Sequence, residues 1–133
     1  MKLNPDCVRD VLMALEGATD GRTSRDFGSF EDFKEFFGLV SYTADEIEYH
    51  LRQCDMNGFL SGAKFSTSGE FTVVDISPRA HEFLANIRSD TVYKATKERL
   101  GKIGVFSLKA LVDVAKSVAA EVISNSLSAG LTS

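Results

Sequence analysis

Thr43-Ala44-Asp45-Glu46-Ile47-Glu48-Tyr49-His50-Leu51-Arg52-Gln53-Cys54-Asp55-Met56-Asn57-Gly58 is a helix with both its start and its stop spelled out. Thr43 and Glu46 stand at capping-box spacing: the Thr hydroxyl accepts the Glu46 backbone N–H while the Glu carboxylate reaches back. Asp45 adds negative charge at the positive helix end. Ile47, Leu51 and Cys54 recur at helical spacing, and Asn57-Gly58 supplies a left-handed stop. The pattern predicts a helix over residues 44–56.

The residues after that helix decide the architecture. Phe59, Phe65, Phe71, Val73, Val74 and Ile76 are strand formers grouped around Ser66-Thr67-Ser68-Gly69, which predicts two antiparallel strands with that turn at their tip. Ser77-Pro78 then gives an N-cap and a first-turn proline, followed by the buried stripe Ala80, Phe83, Leu84 and Ile87. A capped helix, a short hairpin and a second capped helix form the skeleton of a winged helix, with the hairpin as its wing.

Upstream, Asn4-Pro5-Asp6 starts a helix carrying Val8, Val11, Leu12 and Leu15, which Gly17 ends. Residues 18–28, rich in Gly, Thr, Ser, Asp and Arg, read as a mobile loop. Ser29 caps a short helix to Phe37, whose Phe30, Phe33, Phe36 and Phe37 read as core. Downstream, Gly101 and Gly104 mark the boundary to a last helix from Ser107 to about Asn125. Its apolar stripe of Leu108, Leu111, Ala115, Val118 and Val122 needs a partner surface, either its own domain or the seam of a homodimer. The expected fold class is therefore mainly α with a small antiparallel β-hairpin. A winged-helix-like domain over residues 1–104 is followed by a C-terminal helical extension over 105–133.

Composition bounds the function classes. The chain has 133 residues, 44% of them hydrophobic and ten of them Phe, as expected of one globular domain with an appendage. No stretch is apolar enough for a membrane span, and the N-terminus lacks the apolar core of a signal peptide, so cytoplasmic residence is expected. Cys7 and Cys54, each inside an apolar helical pattern, read as reduced core thiols.

No catalytic motif stands in the chain. His50 and Cys54 are spaced i, i+4, but a metal site needs more ligands than this pair, and His50 reads better as a satisfied core histidine. Ser66, His81 and Asp75 could be imagined as a triad, yet no nucleophile elbow accompanies them. The glycines form neither a P-loop nor a dinucleotide fingerprint. The expectation is a protein that is not an enzyme and uses no cofactor or metal.

The order and wording of three blocks resemble a known family. Tyr42 to Leu51, then Gly58-Phe59-Leu60, then His81 to Gly101 look like the bacterial and prophage family labelled domain of unknown function 2513. Met1-Lys2-Leu3 and the helix after it join the match, and the third block is its most specific part. Ala80 stands where such proteins usually have Gly, and Tyr93 where they commonly carry Trp. The phenylalanine-rich stretch before Tyr42 is unusual for them. The resemblance implies a winged-helix-like domain of phages and their hosts, without an established activity.

Charge separates two kinds of partner. Residues 1–57 carry 6 Lys/Arg against 12 Asp/Glu, while residues 79–102 carry 6 against 3. In a winged helix that reads DNA, the helix before the wing approaches phosphates and is normally basic. Here it offers Asp45, Glu46, Glu48 and Asp55 against Arg52 alone. Arg52, Gln53 and Lys64 remain candidate nucleic-acid contacts, Arg52 as a bidentate guanine reader. Lys94, Lys97, Arg99 and Lys102, with Arg88, form a basic patch outside that surface, read equally as further candidate nucleic-acid contacts or as a solvated helix face laced with Glu98 and Asp90. The sequence therefore favours a non-enzymatic binding module that works through a protein partner, as an accessory or regulatory factor of a phage or mobile element. A DNA-binding transcriptional regulator is the alternative.

Overall fold

The computed structural model describes residues 1–132, with side chains through Leu127. Among them are six helices and two small antiparallel sheets, so the chain is mainly α with a small β component. It divides into two compact units, residues 1–81 and 82–133. The boundary expected after residue 104 falls inside the second unit.

The first unit begins with α1 (Pro5–Ala18), whose N-cap Asn4 accepts the Asp6 N–H at 3.0 Å. Residues 18–28 were expected as a mobile loop, but Arg25–Phe27 forms strand β1. Its register against a central strand, Phe27 opposite Phe71, explains the difference: a three-residue strand shows too little alternation to stand out between Gly, Thr and Ser. Helix α2 (Phe30–Phe37) is capped by Ser29 and closed by Gly38 in the left-handed region. Helix α3 (Ala44–Met56) carries the full capping box and packs against both α1 and α2.

After α3 come β2 (Leu60–Ser61), β3 (Lys64–Phe65), β4 (Phe71–Val73) and β5 (Asp75–Ile76). Leu60 opposite Ile76 and Phe65 opposite Phe71 share one register, so the four segments make a single hairpin with its tip at residues 66–70. That tip lies where the sequence predicts it. The hairpin is interrupted at Gly62, which has φ +65° and whose missing Cβ would lie 2.7 Å from Val74 Cγ2. Only glycine meets both conditions without strain. On its other edge β4 pairs with β1, giving a three-stranded sheet in the order β1-β4-β3.

An aromatic cluster joins α2 to this sheet. Phe71 is fully buried, with Phe27, Phe30, Phe33 and Phe65 rings around it at centroid distances of 5.0–6.2 Å. Such pairs contribute about 0.5–1.5 kcal/mol each beyond burial. Phe36, expected in this core, is 63% exposed. At i+6 from Phe30 it has rotated off the face that Phe30, Phe33 and Phe37 share.

Helix α4 (Pro78–Ile87) begins in the first unit and ends in the second. The second unit continues with α5 (Asp90–Ile103), capped by Ser89 and closed by Gly104, and α6 (Leu108–Thr132), which packs along α5. Helix α6 runs seven residues past the expected end at Asn125. Among the described residues no helix is long and apolar enough to cross a membrane.

Candidate functional site

The apolar side of α3 faces the core through Ile47, Leu51 and Cys54, all fully buried. Helical periodicity then turns Asp45, Glu48, Tyr49 and Arg52 outward. Together with Met1 they line a shallow groove of about 330 Å³. Its charged side chains are two carboxylates, Asp45 and Glu48, and one guanidinium, Arg52.

Arg52 was the candidate DNA reader, but its charge is engaged within the fold. Its Nε donates to Glu48 Oε2 at 2.8 Å, and its guanidinium lies 4.6 Å from the Phe65 ring centroid. A guanine contact would have to displace a charge-assisted hydrogen bond and a cation–π contact. Gln53 is half-buried on α3, and Lys64 is exposed on β3.

The remaining sequence candidates lie in the second unit. Lys94, Lys97 and Lys102 are exposed on α5, with the Lys97 ammonium 4.8 Å from the Tyr93 ring centroid. Arg99 is different. It makes a bidentate pair with Glu121 of α6 at 3.0 and 2.9 Å, and each partner holds the other in its charged form. The pair lies outside the two helices' apolar contact, so nothing in a single-helix pattern signals it.

The stripe offered as an oligomer seam is packed within the chain. Leu108, Leu111, Ala115 and Val118 are buried, and Val122 is half-buried beside Val92, Val118 and Ala119. Its cover is intramolecular, in keeping with the docking alternative, because α5 presents Val92 and Ala95 to α6.

His50 has both ring nitrogens in hydrogen bonds: Nδ1 lies 2.7 Å from the Glu46 carbonyl oxygen, and Nε2 accepts the Asn4 N–H at 2.8 Å. Burial pushes the Cys7 thiol up to about 12 and the Cys54 thiol higher still, so neither is a ready thiolate. Both are free. His81 is half-exposed between Glu16 (3.6 Å) and Asp75 (3.9 Å), whereas Ser66 bonds Ser68 and the Glu70 N–H at the hairpin tip. The Glu16 approach depends on α1 and α4 meeting, which local sequence does not reveal.

A family model described as "Hypothetical protein (DUF2513)" matches residues 2–106. The chain belongs to this family. The DUF2513 match takes in all of the first unit but its first residue, and ends before α6. An uncharacterized protein of Haemophilus influenzae is 27% identical over 129 residues, 96% of this chain and 99% of that relative. No solved structure matches this DUF2513 member.

Proposed function

We propose that this protein is a non-enzymatic winged-helix-type binding module that acts in the cytoplasm through protein contacts, as an accessory or regulatory factor of a phage or mobile element. The winged-helix reading is supported by the element order of the first unit, helix, strand, two helices and a hairpin, with β4 between β1 and β3. The phage setting rests on the family resemblance of the His81–Gly101 block. Cytoplasmic residence is supported by two free buried thiols.

One observation carries the choice of partner. The outward face of α3 presents Asp45 and Glu48, and the cation there, Arg52, is held by Glu48 and Phe65. Phosphate attraction supplies most nonspecific DNA affinity, and this face opposes it. A protein surface carrying Lys or Arg gains from the same carboxylates.

Affinity isolation of the tagged protein from its native host, with protein and DNA both identified, tests the reading. The expected result is a protein partner retained by the unaltered chain and lost on combined Asp45→Lys and Glu48→Lys exchange. Recovery of one DNA sequence instead would favour the alternative, a DNA-binding transcriptional regulator. The exposed Lys94, Lys97 and Lys102 on α5, with Lys64 on the hairpin, are the observation in favour of that second reading.

A further inference from the structure

His50 sits where a charged imidazole has no place. Its residue is 1% exposed, and its ring bridges two segments 46 residues apart in sequence. Nδ1 can only donate to the Glu46 carbonyl, so the proton of the neutral ring belongs there, and Nε2 is left as the acceptor for the Asn4 N–H. A proton added at Nε2 would set one N–H against another at 2.8 Å.

We propose that His50 is an acid-sensitive latch, tying residues 1–4 to α3 when neutral and releasing them when protonated. Asn4 is also the N-cap of α1, and Leu3 beside it is buried. Loss of the His50 bond therefore frees the segment that caps α1, exposes Leu3, and withdraws Met1 from the groove it lines with Asp45, Glu48, Tyr49 and Arg52. The latch is built from the His50 and Asn4 geometry and does not depend on which partner the α3 face takes.

The charged and titratable groups around the ring set the direction of the response. Helix α3 brings the Glu46 carboxylate, held by the Thr43 N–H, and the Tyr49 ring edge-on at 5.0 Å. The N-terminal side brings Cys7, whose Sγ lies 4.0 Å from the Glu46 carbonyl oxygen, and Asp6, whose backbone N–H bonds the Asn4 side chain. Glu46 favours the protonated ring, but burial outweighs it and pushes His50 below the ordinary imidazole value of 6.5. The unfolded or unlatched chain thus takes up the proton first as pH falls. The latch is complete above 6.5 and is lost through the window below it, down to the depressed value of the closed state.

Amide hydrogen exchange and ring ¹⁵N spectra of the full chain test this. At neutral pH the His50 ring should carry its proton on Nδ1. Below pH 6.5, Asn4 N–H protection, corrected for intrinsic exchange, should fall by up to about tenfold per pH unit, the slope of one linked proton. His50→Gln, whose amide can donate to Glu46 and accept from Asn4, should abolish this pH dependence, and His81→Gln should leave it intact. A ring protonated on Nε2 at neutral pH, or the same acid response in His50→Gln, overturns the proposal. The ring spectrum of the unaltered chain decides even if His50→Gln does not fold.

Discussion

Helices α3 and α5 are both capped and amphipathic, yet they handle charge in opposite ways. The outward face of α3 sets Asp45 and Glu48 beside a cation that Glu48 and Phe65 hold in place, while α5 keeps Lys94, Lys97 and Lys102 exposed, Lys97 against the Tyr93 ring, and pairs Arg99 with Glu121. The sign of a residue in the sequence is thus a poor guide to the field it projects. A cation with a carboxylate 2.8 Å away adds less to the attraction of a polyanion than a lysine with no such neighbour, even where both are exposed. On the proposed function, the α3 face is the side that meets a basic protein surface, and the exposed lysines of α5 and the hairpin are candidates for polyanion attraction.

The comparison depends first on the platform that holds α3 and the hairpin together. Phe71→Ala should cost about 3–5 kcal/mol in denaturant unfolding, because it empties the centre of the aromatic cluster. A loss below about 1 kcal/mol would show that α2 and the sheet do not rely on that cluster. Gly62→Ala should cost about 1–3 kcal/mol from the left-handed backbone, and more if Val74 cannot yield. A neutral result would mean that the hairpin has no fixed interruption there. Thr43→Ala removes half of the capping box and should cost about 0.5–2 kcal/mol, with the loss concentrated in amide protection of the first turn of α3. Smallest of all, Arg99→Ala should leave the melting temperature nearly unchanged, since its pair with Glu121 lies at the surface, where water and salt screen it. A large drop would show that this pair, and not the apolar contact of Val92 and Val118, holds α6 on α5.

How much of this was legible follows from the range of each signal. The capping box, the Asn57-Gly58 stop and the Ser66–Gly69 turn are local, and each lies where the sequence puts it. The pairing of Glu48 with Arg52 is also local, at i, i+4, and was open to reading. Strand β1 was not, because its evidence is a partner nearly fifty residues away. Phe36 misled because a run of phenylalanines hides which members share a face. Arg99 and Arg52 look alike in a list of basic residues; that Glu121 takes up the first and Phe65 stacks on the second follows from tertiary packing alone. Of the site itself, the acidity of α3 was plain from composition, whereas the groove with Met1 depends on where His50 ties the N-terminus.

The most direct test of the central claim is fluorescence anisotropy of the intact protein with random and selected DNA duplexes across a salt series. The account predicts weak binding without sequence preference at physiological salt. It should be unchanged by Arg52→Ala, and any residual salt slope should shrink when Lys94, Lys97 and Lys102 are replaced by Ala. Tight, sequence-selective binding at physiological salt that disappears with Arg52→Ala would contradict it and make α3 a DNA-reading helix.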